Sequence, residues 1–472
     1  MTNRQPREHP PGEACDPSLR RYNRVVSGPL RPTLFYLSLP VLTEQILTTL
    51  VGIFDTYLAG RISAGATSAI GLSAYVGWLA SMIVMLVGTG TTAIVSRQEG
   101  GSDRAEANHT ANQSLTLSAI LGVLIFAAMY ALAPWFAVYC RMTGETYNIT
   151  VHYLRIDAVG LALMSVTLVG SAALRGVGNM RTPMVIFALM NVVNIVASFA
   201  LVFGVGPIPA LGVDGIVGGT LVARVFGLLL LLIVFAQGRW GLRLIARELP
   251  ISWARAARIL RIGLPAAADG AVMWAGQFLF LAIIGSLGTG EQRDVFFAAH
   301  IVAVRVEAFT YLPAVAWGTA TATMIGQALG AMDPKRAMRA GHEGVFQCGL
   351  LSLVISALFF FGASSIYRMM SGDPRVWSVG VSPFRIVALF QPLMVISIVY
   401  IGALRGAGDT RYPLLISFVG SILIRVPLGY LCGIVLDGGF LGAWIGMFGD
   451  MIWRAAAAAM RYFGGKWLKT SV

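Results

Sequence analysis

The sequence predicts an all-α integral membrane protein: about twelve transmembrane helices in two homologous six-helix lobes, related by a pseudo-two-fold axis along the membrane normal. Three observations predict it. Of 472 residues, 56% are hydrophobic and 12% charged, with a mean hydropathy of +0.73, whereas soluble chains carry roughly a quarter charged residues. Apolar runs of the ~20 residues that cross ~30 Å of hydrocarbon recur along nearly the whole length, and their backbones must satisfy themselves as helices. Finally, SAALRGVGNMRTP from Ser171 returns as IGALRGAGDTRYP from Ile401, a displacement of 230 residues.

Taken in order, the first span, 35–59, follows Arg31 and holds Pro40, Glu44 and Asp55 before Arg61. The second, 68–96, carries Met82 and Met85, and the third covers 112–136. The fourth, 152–175, begins with YLRI and runs into ALRG; Pro183 then opens the fifth, 182–205, as a helix start. The sixth, 213–237, has the small pair Gly215 and Gly219, a packing surface by default. The second half repeats the pattern at 259–287, 296–327, 342–366, 377–402, 412–436 and 440–463, with Pro265 and Pro413 where the first half has Pro40 and Pro183. Further segments keep the spacing: GTGTTAIVSRQEGG from Gly88 with GTATATMIGQALGA from Gly318, and YLRI with PFRI. Six spans per half is an even number, so both halves enter from one side and the repeat is parallel. The domain reading is a polar, basic tail over 1–34, a lobe over 35–237, a basic linker over 238–258, a second lobe over 259–463 and a tail over 464–472.

The net charge of +13 is distributed asymmetrically. Arg4, Arg7, Arg20, Arg21, Arg24 and Arg31 precede the first span, Arg239, Arg243, Arg247, Arg255, Arg258 and Arg261 fill the mid-chain connection, and Lys335, Arg336, Arg339, Arg175, Arg181, Arg405, Arg411, Arg461, Lys466 and Lys469 fall on the same side. That pattern places both termini in the cytoplasm of a cell-membrane protein and reports inner-leaflet contact, not nucleic-acid binding. Cys15, Cys140, Cys348 and Cys432 make no ligand-spaced set, so neither a disulfide framework nor a metal site is indicated. Asn-x-Ser/Thr matches at Asn108, Asn112 and Asn148 are chance matches, the first two on the cytoplasmic side.

Charges within spans are expensive and mark candidate sites. Asp55 lies ~22 Å along the first helix from Pro40, in the outer half. The offset of 225 that pairs Pro40 with Pro265 puts Phe280 opposite it, so the carboxylate is an addition to one lobe. Asn194 and Ser198, at i and i+4 in helix five, and Thr220 in helix six stand at a similar depth and can form a polar pocket around an acid able to exchange a proton. Each is also the kind of residue that glues helices together. Glu44 and Asp269 are symmetry-related near the inner ends of helices one and seven, where pairing with cytoplasmic basic residues is the plain alternative; Glu307 lies deeper. Arg224, Arg425 and Arg454 need partners or a wet cavity. Asp450 can pair with Arg454 at i, i+4, and Asp269 or Glu307 are available across the bundle to Arg425.

These residues together resemble the multidrug and toxin extrusion (MATE) family, from Pro40 to about Arg461. The carriers are LPVLTEQILTTLVGIFDTYLAG on helix one, the paired ALRGxGxxR segments, FFAAHIVAVRVEAF from Phe296 and GQALGAMDPKRA from Gly326. The resemblance implies a two-lobed exporter exchanging protons or sodium for organic, often cationic, compounds. It matches Asp55 to the family's first-helix acid implicated in cation coupling, Asn194 to the first residue of an NxxxD pattern whose Asp is here Ser198, and Thr220 to the sixth-helix threonine. Met273 and Met394 stand where the sodium-coupled branch carries acids. The expected function is therefore a monomeric antiporter acting by alternating access, coupled to protons through Asp55 or to sodium there, without an organic cofactor or bound metal, with a small organic molecule and the bilayer as partners. A flippase for lipid-linked sugars or other amphiphiles is the alternative, favoured by an unpaired Arg224 and Arg425 in the cleft. A membrane-embedded enzyme is weaker, since HEGV at His342 is not HExxH and no nucleophile triad emerges. A passive channel leaves the symmetry without a use.

Overall fold

The computed structural model describes residues 25–472 apart from 208, 239 and 471. Arg4, Arg7, Arg20, Arg21, Arg24, Cys15 and Arg239, named above, lie outside the described residues. The chain folds as long helices joined by short turns: α1 Leu30–Ile62, α2 Ala64–Gly100, α3 Arg104–Tyr139, α4 Gly144–Gly176, α5 Arg181–Phe203, α6 Val213–Gln237, α7 Trp253–Ser286, α8 Glu291–Gly330, α9 Pro334–Met370, α10 Pro374–Gly406, α11 Arg411–Val435 and α12 Gly439–Phe463. Among the described residues, eleven of these are long and apolar enough to cross a bilayer. The remaining one, α12, is 25 residues long and carries Asp450, Arg454 and Arg461, which lower its hydropathy. Most helices overrun the expected spans by several residues at the end that carries most of the Arg and Lys residues, here the basic end. There amphipathic turns such as Arg104–Ser114 and Pro334–Gly341 continue the helix beyond its apolar core.

The repeat is visible in small features. Asp103 and Asp333 cap α3 and α9, each accepting from a backbone N–H three residues on. Each follows a non-glycine residue in the left-handed region, Ser102 (φ 59°) and Met332 (φ 58°). In the two ALRGxG turns, Gly178 (φ 81°) and Gly408 (φ 87°) take the conformation that makes glycine the natural residue there. Helix pairings repeat likewise: α2 with α4 and α8 with α10, α5 with α6 and α11 with α12, α1 with α5 and α7 with α11.

The two sets of six meet along α2 and α8, with α2 also against α7 and α8 against α1. The Gly100 backbone packs directly on Gln327, and Gly330 packs on Arg97. Residues 100 and 330, and 97 and 327, are repeat mates, so the contact is reciprocal, as a two-fold axis between α2 and α8 requires. Around it Gln327 donates to the Gly176 carbonyl (2.9 Å) and Thr323 to the Arg175 carbonyl (3.1 Å). Farther in, Trp78 and Trp274 meet edge to face across the seam. At the other end, the contact of His152 with Asp214 and the ion pairs among the described residues, Arg293–Asp294 and Arg375 with Glu291 and Asp373, stay within one set of helices. The partly exposed Asp373 there is held below the usual carboxylate range, chiefly by a side-chain hydrogen bond from Arg375.

The connection between the halves is fastened to α3. Asn112 donates to the Arg243 carbonyl (2.9 Å) and accepts from Ile245 N–H (3.1 Å), Gln113 accepts from Ser252 N–H (2.7 Å), and Thr116 donates to the Leu249 carbonyl (2.8 Å). Just beyond, Arg255 in the first turn of α7 forms a two-pronged ion pair with Glu106 (3.0 Å). Asn108 and Asn112 are buried for this purpose.

Candidate functional site

Four helices of the first half converge on a buried polar group. Asp157 on α4 is 5% exposed. Ser73 of α2 donates to its Oδ2 (2.9 Å), and Arg224 of α6 donates through Nη1 to its Oδ1 (2.6 Å). The same Nη1 reaches the Asp157 carbonyl (3.3 Å). Gly160, one turn along α4, leaves the guanidinium its space, since a side chain there would overlap Arg224. Asp55 on α1 lies within electrostatic reach of Arg224 and Asp157, and Tyr153 of α4 is in range of both acids. Asp55 Oδ1 is shielded from solvent and has no hydrogen-bond partner among the described residues.

The expected polar pocket is arranged differently. Asn194 Nδ2 donates to Thr220 Oγ1 (3.0 Å), and Thr220 in turn donates to the Ile216 carbonyl (3.1 Å). Ser198 donates to that same carbonyl (3.4 Å). These three side chains stand together, but Asp55 makes no hydrogen bond to them, and its charged neighbours come from α4 and α6. Nor does Arg61 accompany Asp55, because its guanidinium lies over the Tyr57 ring at 5.2 Å.

The second half shows what the same positions look like without these groups. Phe280, the counterpart of Asp55, is fully buried. Its ring lies over Gly429, where a β-carbon would come within 3.2 Å, and against His300 at 5.6 Å. α11 also differs from α5 in containing two π-helical stretches, Val419–Arg425 and Leu431–Val435. A π turn inserts a residue into the helix. Beyond it the displacement becomes 231, which makes Gly429 the counterpart of Ser198 and Arg425 that of Asn194. Gly215 and Gly219 pack on α5 as Gly442 and Gly446 pack on α11, so α6 and α12 correspond at a displacement of 227.

Arg425 does not pair with Asp269 or Glu307, as the sequence suggested. It donates to Asp450 through Nη2 and to Gln277 Oε1 through Nη1 (2.9 Å). The i, i+4 contact of Arg454 with Asp450 is the looser one, at 3.9 Å, because Arg425 from the next helix has the nearer approach. Glu307 is half-buried and accepts from Gln391 of α10 (3.4 Å). Glu44 and Asp269 each bond the arginine of an ALRG segment, Glu44 with Arg175 and Asp269 with Arg405. Twin ion pairs thus tie α1 to α4 and α7 to α10 near the basic end.

Sequence reasoning missed Asp157, Ser73 and Gln277. The available signal for Asp157 was its place directly after the repeated YLRI, where the second copy has Val387. Among the described residues no group of three or more His, Cys, Asp or Glu is placed to hold a metal ion.

A family model described as MatE matches residues 40–200 and 265–431. The chain is 29% identical over 444 residues to a probable multidrug resistance protein NorM of Thermotoga maritima, covering 94% of each chain. It is 26% identical over 408 residues to the multidrug resistance protein PmpM of Pseudomonas aeruginosa, covering 85% of this chain and 83% of that one. In fold it is similar to the outward-facing conformation of a multidrug resistance MATE family transporter of the MOP superfamily, with TM-score 0.85, 22% identity and coverage of 95% and 98%. It is likewise similar to MATE in the bent conformation, with TM-score 0.86, 22% identity and coverage of 94% and 96%.

Proposed function

Because this chain belongs to the MatE family of multi-pass membrane transporters, we propose that it is a secondary exporter: it exchanges protons for lipophilic or cationic organic molecules by alternating access, with Asp55 as the coupling acid and both termini cytoplasmic. The observation that carries the reading is the asymmetry of the lobes. One position in a twinned frame holds a carboxylate, and its mate holds a buried phenylalanine that needs no ion. A group that the fold does without in one lobe is free to serve function in the other. Since Asp55 Oδ1 has no hydrogen-bond partner, protonation there breaks no existing bond.

The seam supports the alternating-access part of the reading. The lobes touch through backbone and a few hydrogen bonds at the basic end, while ion pairs at the opposite end remain inside each lobe. Contacts between the lobes at the basic end, taken with ion pairs that do not cross at the opposite end, support a cleft that opens away from the basic end. In the cycle, ionised Asp55 permits cargo to bind from the inner side, rocking exposes the cleft outward, and protonation of Asp55 displaces the cargo. The flippase alternative rested on free arginines in the cleft, and Arg224 and Arg425 each have a carboxylate partner.

The test is dye efflux from proteoliposomes under separately imposed proton and sodium gradients. A proton gradient should drive a lipophilic cationic dye out, and Asp55→Asn should abolish that drive. Efflux that ignores both gradients, or an Asp55→Asn protein as active as its parent, would overturn the reading.

A further inference from the structure

The Asp157–Arg224 pair has no role in the cycle just described, yet it is built as a site. Its four contributors, Asp55, Ser73, Asp157 and Arg224, come from four helices, and their repeat mates are Phe280, Ala303, Val387 and Met451. All four mates lie in a single buried apolar cluster. The fold is therefore satisfied by hydrocarbon at this location, and one lobe has exchanged all four positions for an acid, a hydroxyl, a second acid and a guanidinium. Buried ionisable groups in a membrane protein are costly, and a structural need does not explain them when the twin lobe packs without them.

The geometry of Arg224 shows what the exchange achieves. Among the described residues only Nη1 is engaged, and the rest of the guanidinium has no hydrogen bond. Gly160 fixes where the guanidinium sits, and the charged groups acting on Asp55 are Arg224 and Asp157. With Asp55 ionised, two carboxylates face one permanent positive charge. A sodium ion entering beside Asp55 would add a second cation next to the guanidinium, and would need oxygen ligands that Arg224 already occupies on Asp157. A proton brings the same unit charge, but one Asp55 oxygen holds it covalently and it needs no further ligands. We propose that Arg224, anchored by Asp157 and Ser73, is a resident counter-cation that makes the Asp55 site accept a proton and refuse sodium. This inference rests on Asp55 being the coupling acid.

The test uses the full-length protein in proteoliposomes, with initial dye efflux under a proton gradient alone and a sodium gradient alone, and sodium-induced change in tryptophan fluorescence as a readout independent of transport. The parent should respond to protons only. Arg224→Lys, which keeps the charge, should stay blind to sodium in both readouts. Arg224→Met leaves two carboxylates without their cation and should gain sodium-driven efflux and a sodium-induced fluorescence change whose titration gives a sodium affinity about fivefold or more above the parent's, the lower edge of a typical coupling between sites. Arg224→Gln, whose amide can still donate to Asp157, carries the same expectation should the methionine variant fail to fold. The double change Asp157→Val with Arg224→Met, copying the other lobe, should stay proton-driven and blind to sodium.

A parent protein driven by sodium, neutral Arg224 variants that transport on protons but ignore sodium, or a double variant that responds to sodium as Arg224→Met does would each overturn the inference. A parent inert under both gradients would instead overturn the exporter reading on which it stands.

Discussion

Replacing Asp450 by asparagine should destabilise the second lobe by about 3–5 kcal/mol, the cost of breaking a buried ion pair by removing one partner. Asp450 is fully buried, and Arg425 and Arg454 are 9% and 8% exposed. Arg425 bonds its Oδ2, and Arg454 Nη1 stands 3.9 Å from the same oxygen. At an effective dielectric near 20, unit charges about 4 Å apart attract by about 4 kcal/mol. Desolvation offsets part of this in the intact cluster, but with an amide in place of the carboxylate the two arginines stay desolvated and lose the attraction. It also leaves two guanidiniums facing each other. The assay is reversible unfolding by sodium dodecyl sulfate in mixed micelles, comparing D450N, R425Q and the double variant. The double variant should be less destabilised than the sum of the singles by about 1 kcal/mol or more, because the charges it removes were compensating one another. A D450N protein within about 0.5 kcal/mol of its parent, or singles that simply add, would refute the reasoning.

Phe280→Ala should cost about 3–5 kcal/mol in the same assay, as a fully buried aromatic side chain leaves a cavity over Gly429. Gly100→Val and Gly330→Val should act alike, because either side chain must enter the backbone of the facing lobe; the measurement is an increase in labelling of Thr323→Cys by an impermeant maleimide, and no increase in either would count against the reciprocal contact. Asn112→Ala removes hydrogen bonds to Arg243 and Ile245, costing about 1–3 kcal/mol for the groups left unpaired. It should expose the stretch 240–252 to limited proteolysis, and an unchanged cleavage pattern would show that the fastening lies elsewhere.

The helices, their number and the doubling of the chain were legible because each leaves a local trace: an apolar run, a proline or a returning ALRGxG. Even the link between Glu44 and Arg175, and between Asp269 and Arg405, was half visible, since both acids recur at matching places. Asp157 with Arg224, and Arg425 with Asp450, were not. They pair across helices, and in a bilayer the faces turned to lipid and to protein are both apolar, so the pattern of hydrophobic residues does not reveal how each helix is rotated. The π-helical stretches in α11 add to this, because an inserted residue turns everything after it without altering composition. Asn194 and Ser198 were recognisable as neighbours from their i, i+4 spacing and Thr220 from its depth in the next helix, whereas the charges that surround Asp55 come from parts of the chain about a hundred and more residues away.

The strap that α3 places on the mid-chain connection reaches as far as Arg255, inside α7. Mechanically, then, the opening turn of α7 travels with the first six helices even though the rest of that helix belongs to the other six. Any swivel between the two bodies has to be absorbed within α7 itself, and the weak point is where Gly263 meets the carbonyl of Leu86 and Pro265 leaves the helix one backbone hydrogen bond short. For the rocking proposed above, the pivot is then a flaw within a helix, not the loop that joins the halves.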